Sequence, residues 1–253
     1  MNSAVIAPVI FACTFGAALL GVFFRSRLPE NQLDTDSADT VKLVMGLIAT
    51  LTALVLGLLI SSAHSAYNAQ STEVQQLGVH IYQIDRILAQ FGPDAAQPRA
   101  LLRKVVAADI ERTWRNGIAH APSAAPLEAR REAEQLFTQI ASLSPTTNLQ
   151  RFGQARVLEL LTSVGETRRL LSEQAQVSLS WLFLIILGAW LTLLFFGFGL
   201  FARLNRTVIV ALLAGAVSVA AAVFLILEMH QPYHGWMQVS SAPLRNALSQ
   251  MNE

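Results

Sequence analysis

Three ionisable side chains stand at the ends of long apolar runs: His64, Glu228 and His230. A histidine or carboxylate at such a depth is costly unless it faces protein or water, so it can pass a proton or line an ion path. The same groups can instead form a local hydrogen bond or salt bridge, or contact lipid headgroups, because membrane edges cost less than centres and side chains snorkel. His230 and His234 with Glu228 offer metal-ligand types. Pro232 breaks the helical spacing between the two histidines and no fourth ligand is evident, so no metal is expected. The chain has no phosphate-binding glycine loop, no HExxH, no CxxC pair and no GxSxG elbow, so neither an enzyme nor a cofactor is expected. Cys13 is the single cysteine and cannot close an intramolecular disulfide.

The elements that must position these groups are apolar helices. Of the 253 residues 53% are hydrophobic and only 14% charged, whereas soluble domains carry about a quarter charged residues. The excess apolar surface calls for a lipid bilayer as partner. A formal net charge of +1 gives no general attraction to nucleic acid. Four runs are long enough to cross the hydrocarbon: Ala4 to Phe24, Leu43 to Tyr67, Val177 to Phe201 and Thr207 to Met229. No Lys or Arg precedes Arg25, so the first run lacks the basic flank of a signal peptide and reads as a retained anchor.

The expected fold is all-α: an integral membrane protein with four transmembrane helices, two before and two after a helical soluble insert. Residues 1–62 would hold the first two spans, 63–176 the insert continuing from the second, 177–229 the hairpin of the last two, and 230–253 an interfacial tail. Breaks at Gly92 to Pro98, Asn116 to Pro126 and Ser142 to Asn148 divide the insert into about four helices. In the tail, Tyr233 and Trp236 fit an interfacial aromatic belt. Ser241 before Ala242-Pro243 fits the start of a short helix with Leu244 and Leu248 on one face, lying on the membrane or docked on the insert. A small-residue ridge on the fourth span, Ala211, Gly215, Ser218 and Ala222, is expected to pack on a neighbouring span.

One pattern joins membrane to insert. Steps of three and four from Gly46 pick out Ala49, Ala53, Leu56, Ile60, Ala63, Tyr67, Gln70, Val74, Leu77, Ile81, Ile84, Leu88 and Phe91, all small or apolar except Gln70. No proline interrupts it, so a single helix ending at Gly92-Pro93 is expected, roughly 70 Å long. Its membrane part is small and its aqueous part bulky. It can pack within the subunit or meet copies of itself around a symmetry axis.

The run DTVKLVMGLIATLTALVLGLLISSAHSAYNAQ, the segment FGPDAAQPRALLR, and FGLFARLNRTV followed by LILEMHQPYHGWMQVSSAPLRNAL resemble the bacterial bestrophin-like family of membrane proteins. The likeness runs over nearly the whole chain and is most specific at its two ends. The family commonly has a lysine at the place of His64 and often an acid at that of His230, so a permanent charge pair becomes titratable here. By analogy with bestrophins, the resemblance implies a pentameric anion channel whose second transmembrane helix forms a narrow hydrophobic neck. It also implies a multi-pass protein of the bacterial inner (plasma) membrane. Leu56 and Ile60 would then be constriction residues, gating by dewetting. Bestrophin inserts are cytosolic. Basic residues near span ends number five on the short-loop side (Arg25, Arg27, Lys42, Arg203, Arg206) and three on the insert side (Arg168, Arg169, Arg245). That count places the short loops in the cytoplasm and the insert and both termini outside.

Two functions follow. One follows the resemblance: a homo-oligomeric ion channel, for anions, with its pore lined by Gly46, Ala49, Ala53, Leu56, Ile60, Ala63 and Tyr67. The alternative is a non-conducting membrane scaffold or sensor whose insert binds a partner protein.

Overall fold

The computed structural model describes residues 3–25, 27, 35–115, 118–119, 126–174, 181–202, 205–231, 233 and 236–251. His234, Pro232, Arg203 and the first residues of the third expected span lie outside them, as does most of the break at 116–126. The chain divides into two compact units, Met1–Ala66 with Leu179–His230, and Tyr67–Ser178 with Gln231–Glu253.

The first unit contains α1 (Ser3–Arg25), the start of α2 (Thr35–Ala89), α6 (Trp181–Phe201) and α7 (Arg206–Met229). Each of these four helices is long and apolar enough to cross a membrane. Lipid tails supply no hydrophobic drive between such helices, so close backbone approach decides how they pack. A Cβ on Gly21 would stand 2.8 Å from the backbone nitrogen of Leu200, and one on Gly199 would stand 2.9 Å from the carbonyl carbon of Ala18. Only glycines permit this crossing of α1 and α6. Beside it, the Arg25 guanidinium donates at 2.6 Å to the carbonyl of Phe201, at the end of α6. Leu184, Leu187 and Leu191 of α6 meet Val223 and Leu227 of α7 in a buried cluster.

The packed face of α7 overlaps the expected ridge only in part: Gly215 and Ala222 are half-buried, and a Cβ on Gly215 would stand 3.4 Å from the Phe195 ring of α6. Ala216, Ala220, Val223 and Leu227 are buried, whereas Ala211 and Ser218 are exposed. α7 is small and apolar on two adjoining faces, and residue size alone does not select between them.

The second unit holds the rest of α2, then a 3-10 turn (Gly92–Ala95), α3 (Ala96–Thr113), α4 (Leu127–Ala141), α5 (Asn148–Gln174) and α8 (Ala242–Gln250). A two-residue antiparallel pair follows α3, with Trp114 opposite Ala119 and Arg115 opposite Ile118. It is an addition to the expected helices, too short to alter the all-helical class. α2 runs unbroken for 55 residues, about 80 Å at the α-helical rise. It begins at Thr35, eight residues before the expected span, where Lys42 pairs with Asp39 at 2.8 Å. It ends at Ala89, and Gly92 with φ +61° turns the chain back.

Val74, Leu77, Ile81, Ile84 and Leu88 of α2, with Phe91 just beyond its end, form the spine of this unit's core. Leu102, Val106 and Ile110 of α3, Leu136 and Ile140 of α4, and Val157 and Leu160 of α5 close around it. The C-terminal segment completes the same core through Tyr233, Val239, Leu244, Ala247 and Met251, with Leu248 packed against it. Of the two places open to the final helix, it takes the insert. Tyr233 is therefore no belt residue: it is 2% exposed inside the insert core, while Trp236 is 91% exposed. α8 starts at Ala242, and the hydroxyl of Ser240, not Ser241, accepts the Ala242 amide at 3.1 Å. Gly78 lets α8 approach, since a Cβ there would lie 2.8 Å from the Pro243 carbonyl oxygen. The buried Trp114 indole donates to the Val239 carbonyl at 2.8 Å, tying the segment down.

A candidate pore helix and a buried edge carboxylate

The membrane part of α2 has two faces with different neighbours. Thr52 is buried, and Met45, Ile48, Val55 and Leu59 are half-buried at steps of three and four around it. Val55, Leu56 and Leu59 pack on the Leu184–Leu187–Leu191–Val223–Leu227 cluster. The Thr52 hydroxyl returns to the Ile48 carbonyl at 2.7 Å, so this buried polar group is satisfied within its own helix.

One position round the helix lie the residues singled out from the sequence. Gly46, Ala53 and Ile60 are exposed, and Ala49 and Leu56 are half-buried. A Cβ on Gly46 would meet nothing within 4 Å, so no contact inside the subunit requires that glycine. Further along, Ala63 is fully buried, and Tyr67 is half-buried with its hydroxyl donating to Gln238 O at 3.4 Å. The most apolar window of α2 is only 6% buried, against 39% for α1, 39% for α6 and 22% for α7. The second span is thus the one its own chain covers least. A stripe of Leu43, Leu47, Leu54 and Leu58 is also exposed.

At the far end of α7 the structure makes a polar contact that sequence reasoning missed. Glu228 is 3% exposed, and the hydroxyl of the buried Ser3 donates to its carboxylate. This joins the first turn of α1 to the last turn of α7. The only sequence signal for it is a lone serine preceding an apolar run. His230 donates from Nδ1 to the Ile226 carbonyl at 3.0 Å, closing the end of α7 on itself. His64 is exposed on α2. No group of three metal-ligating side chains occurs among the described residues.

In the insert, Asp85 is 2% exposed and receives both Nε and Nη2 of Arg99 at 2.8 Å, a bidentate pair between α2 and α3. Hydrogen bonding to Asp85 raises the Arg99 pKa above its ordinary value. Gln70, the polar exception in the stripe, is buried, and its Oε1 has no partner among the described residues. Burial pushes the Tyr233 phenol pKa up, and the negative charge of Glu73 adds to the shift.

Two apolar helices, a helical insert and an apolar helical hairpin define a four-span membrane protein whose second span runs on into its insert. The chain belongs to the bestrophin-like family: the family's Bestrophin-like domain matches residues 12–244. Its fold is also that of solved membrane proteins. A tryptophan-to-alanine variant of a bacterial bestrophin homologue from Klebsiella pneumoniae superposes with TM-score 0.72 at 12% identity, over 100% of this chain and 99% of that one. A membrane protein carrying a proline-to-alanine substitution gives TM-score 0.70 at 10% identity, over 98% and 97%. An isoleucine-to-threonine variant of the Klebsiella pneumoniae homologue gives 0.67 at 13%, over 97% and 98%. No curated protein sequence matches the chain.

Proposed function

We propose that the protein is a homo-oligomeric ion channel of the bacterial inner membrane, with anions as the permeant class. Its pore is lined by the membrane part of α2 through Gly46, Ala49, Ala53, Leu56 and Ile60. Ala63 and Tyr67 continue the stripe where it turns into the subunit's own packing. The observation that supports this reading is the uncovered small-residue face of α2 in a chain of the bestrophin-like family. An apolar constriction such as Ile60 would gate by dewetting. The basic-residue count puts the insert and both termini outside the cytoplasm. Labelling a Gln75→Cys variant in a Cys13→Ser background with an impermeant maleimide on intact cells tests that placement.

The deciding experiment is ion flux from liposomes holding the purified protein, with chloride and potassium gradients applied separately. Selective flux, reduced by Ile60→Trp and altered in selectivity by Ala53→Glu, supports the channel. No flux between pH about 5 and 8 from folded, oligomeric protein overturns it. In that case a non-conducting scaffold or sensor is favoured by the insert itself, where Leu149 and Phe152 of α5 are 67% and 74% exposed and offer a partner protein an apolar contact.

A further inference from the structure

The second unit holds a partly open cavity of about 160 Å³, lined by side chains from α2, α3, α4, α5 and α8. Its walls are apolar, with Leu77, Ile84, Leu102, Val106, Leu136 and Leu161 among them. The cavity matches in size the ~150 Å³ space that holds a benzene ring in an engineered apolar site. It opens to the surface past Ala133, Thr162 and Gly165, which line it and are exposed.

Gly165 stands at that opening. It lies in the middle of α5, where glycine is a poor helix former. It lines the cavity, and a Cβ added there would meet nothing within 4 Å. No neighbouring backbone needs this glycine, in contrast to Gly21, Gly78 and Gly199. Its lack of a side chain leaves the opening wide.

The cavity also has a polar end. Asp109 of α3 and Arg168 of α5 both line it, and the Arg168 guanidinium donates to the Asp109 carboxylate. Arg112 Nη2 stands 3.9 Å from the same carboxylate oxygen. Two guanidiniums face one carboxylate, so this triad carries one net positive charge. A second carboxylate, brought by a ligand, would balance it and match the planar fork of an arginine.

We propose that the insert binds a small organic carboxylate with a compact aromatic or short aliphatic body, the body in the cavity and the carboxylate at Arg168. The site uses residues of the second unit only and is independent of whether the membrane spans conduct.

The test uses the full chain in lipid nanodiscs, free of competing detergent, titrated by calorimetry with phenylacetate and separately with toluene. Gly165→Leu obstructs the opening from α5, and Ala133→Leu obstructs it from α4. Either change in protein that still melts cooperatively is expected to weaken both ligands about tenfold or more. Arg168→Gln is expected to weaken phenylacetate about tenfold while leaving toluene within about twofold. No binding of either probe overturns the proposal. So does binding that survives both obstructing variants, which would mark uptake by lipid or surface. Phenylacetate binding indifferent to Arg168→Gln overturns the carboxylate assignment.

Discussion

From Val74 to Leu88 the three-four stripe of α2 is buried by the subunit's own helices, while from Gly46 to Ile60 the same spacing lies largely uncovered. The difference comes from the solvent. In water an apolar stripe costs free energy until something covers it, so α3, α4, α5 and α8 close over the insert half. In hydrocarbon an uncovered leucine or alanine costs nothing, so burial follows only where backbones fit closely. That fit occurs at Gly21 and Gly199, between α1 and α6, and leaves α2 covered along one face only. Identical periodicity therefore means a core in one half and a surface available to another copy in the other.

The largest expected effect tests the membrane side of this contrast. Gly199→Leu forces a side chain into the backbone of α1 and should cost of the order of 4 kcal/mol or more, read as loss of folded, monodisperse protein on size exclusion. If the variant folds normally, close backbone approach does not organise the spans. Next, equal truncations on the two halves should differ. Ile84→Ala, at a site 0% exposed, should cost about 4 kcal/mol in chemical unfolding. Ile60→Ala, at a site 39% exposed, should cost under about 1 kcal/mol in the subunit and register instead in oligomer stability or flux. Equal costs would erase the contrast.

Arg99→Ala leaves the Asp85 carboxylate buried and unpaired. Loss of about 3 kcal/mol is expected, at the low end for a buried pair because Arg99 is about a quarter exposed. The smallest effect concerns the C-terminal segment. A phenol whose pKa is raised on folding contributes stability that is complete below its ordinary value of about 10 and is lost as pH rises above it. Alkaline pH should therefore weaken the insert, followed by Trp fluorescence. Tyr233→Phe should flatten that loss and, at neutral pH, stay within about 1 kcal/mol of the parent, since its hydroxyl has no partner among the described residues.

Much of this was legible beforehand. Charge-free runs of span length mark the four membrane helices, because hydrocarbon thickness sets their length. The proline-free stripe marks α2 as continuous. The family was also readable, from the specific blocks at both ends of the chain. The fate of Tyr233 was not, since an aromatic after a span reads equally as interfacial or as core. The Ser3 contact with Glu228 was hidden because it joins residues 225 apart in sequence.

The sequence by itself determined that this chain is a helical membrane protein with one long helix leading into a helical insert, because apolar length and period are local properties of the chain. Only the tertiary structure decided which face of each helix is covered, where the last helix docks, and that Arg168, Asp109 and Gly165 surround one cavity. Those outcomes depend on which segments meet across long sequence distances, and no local pattern encodes that choice.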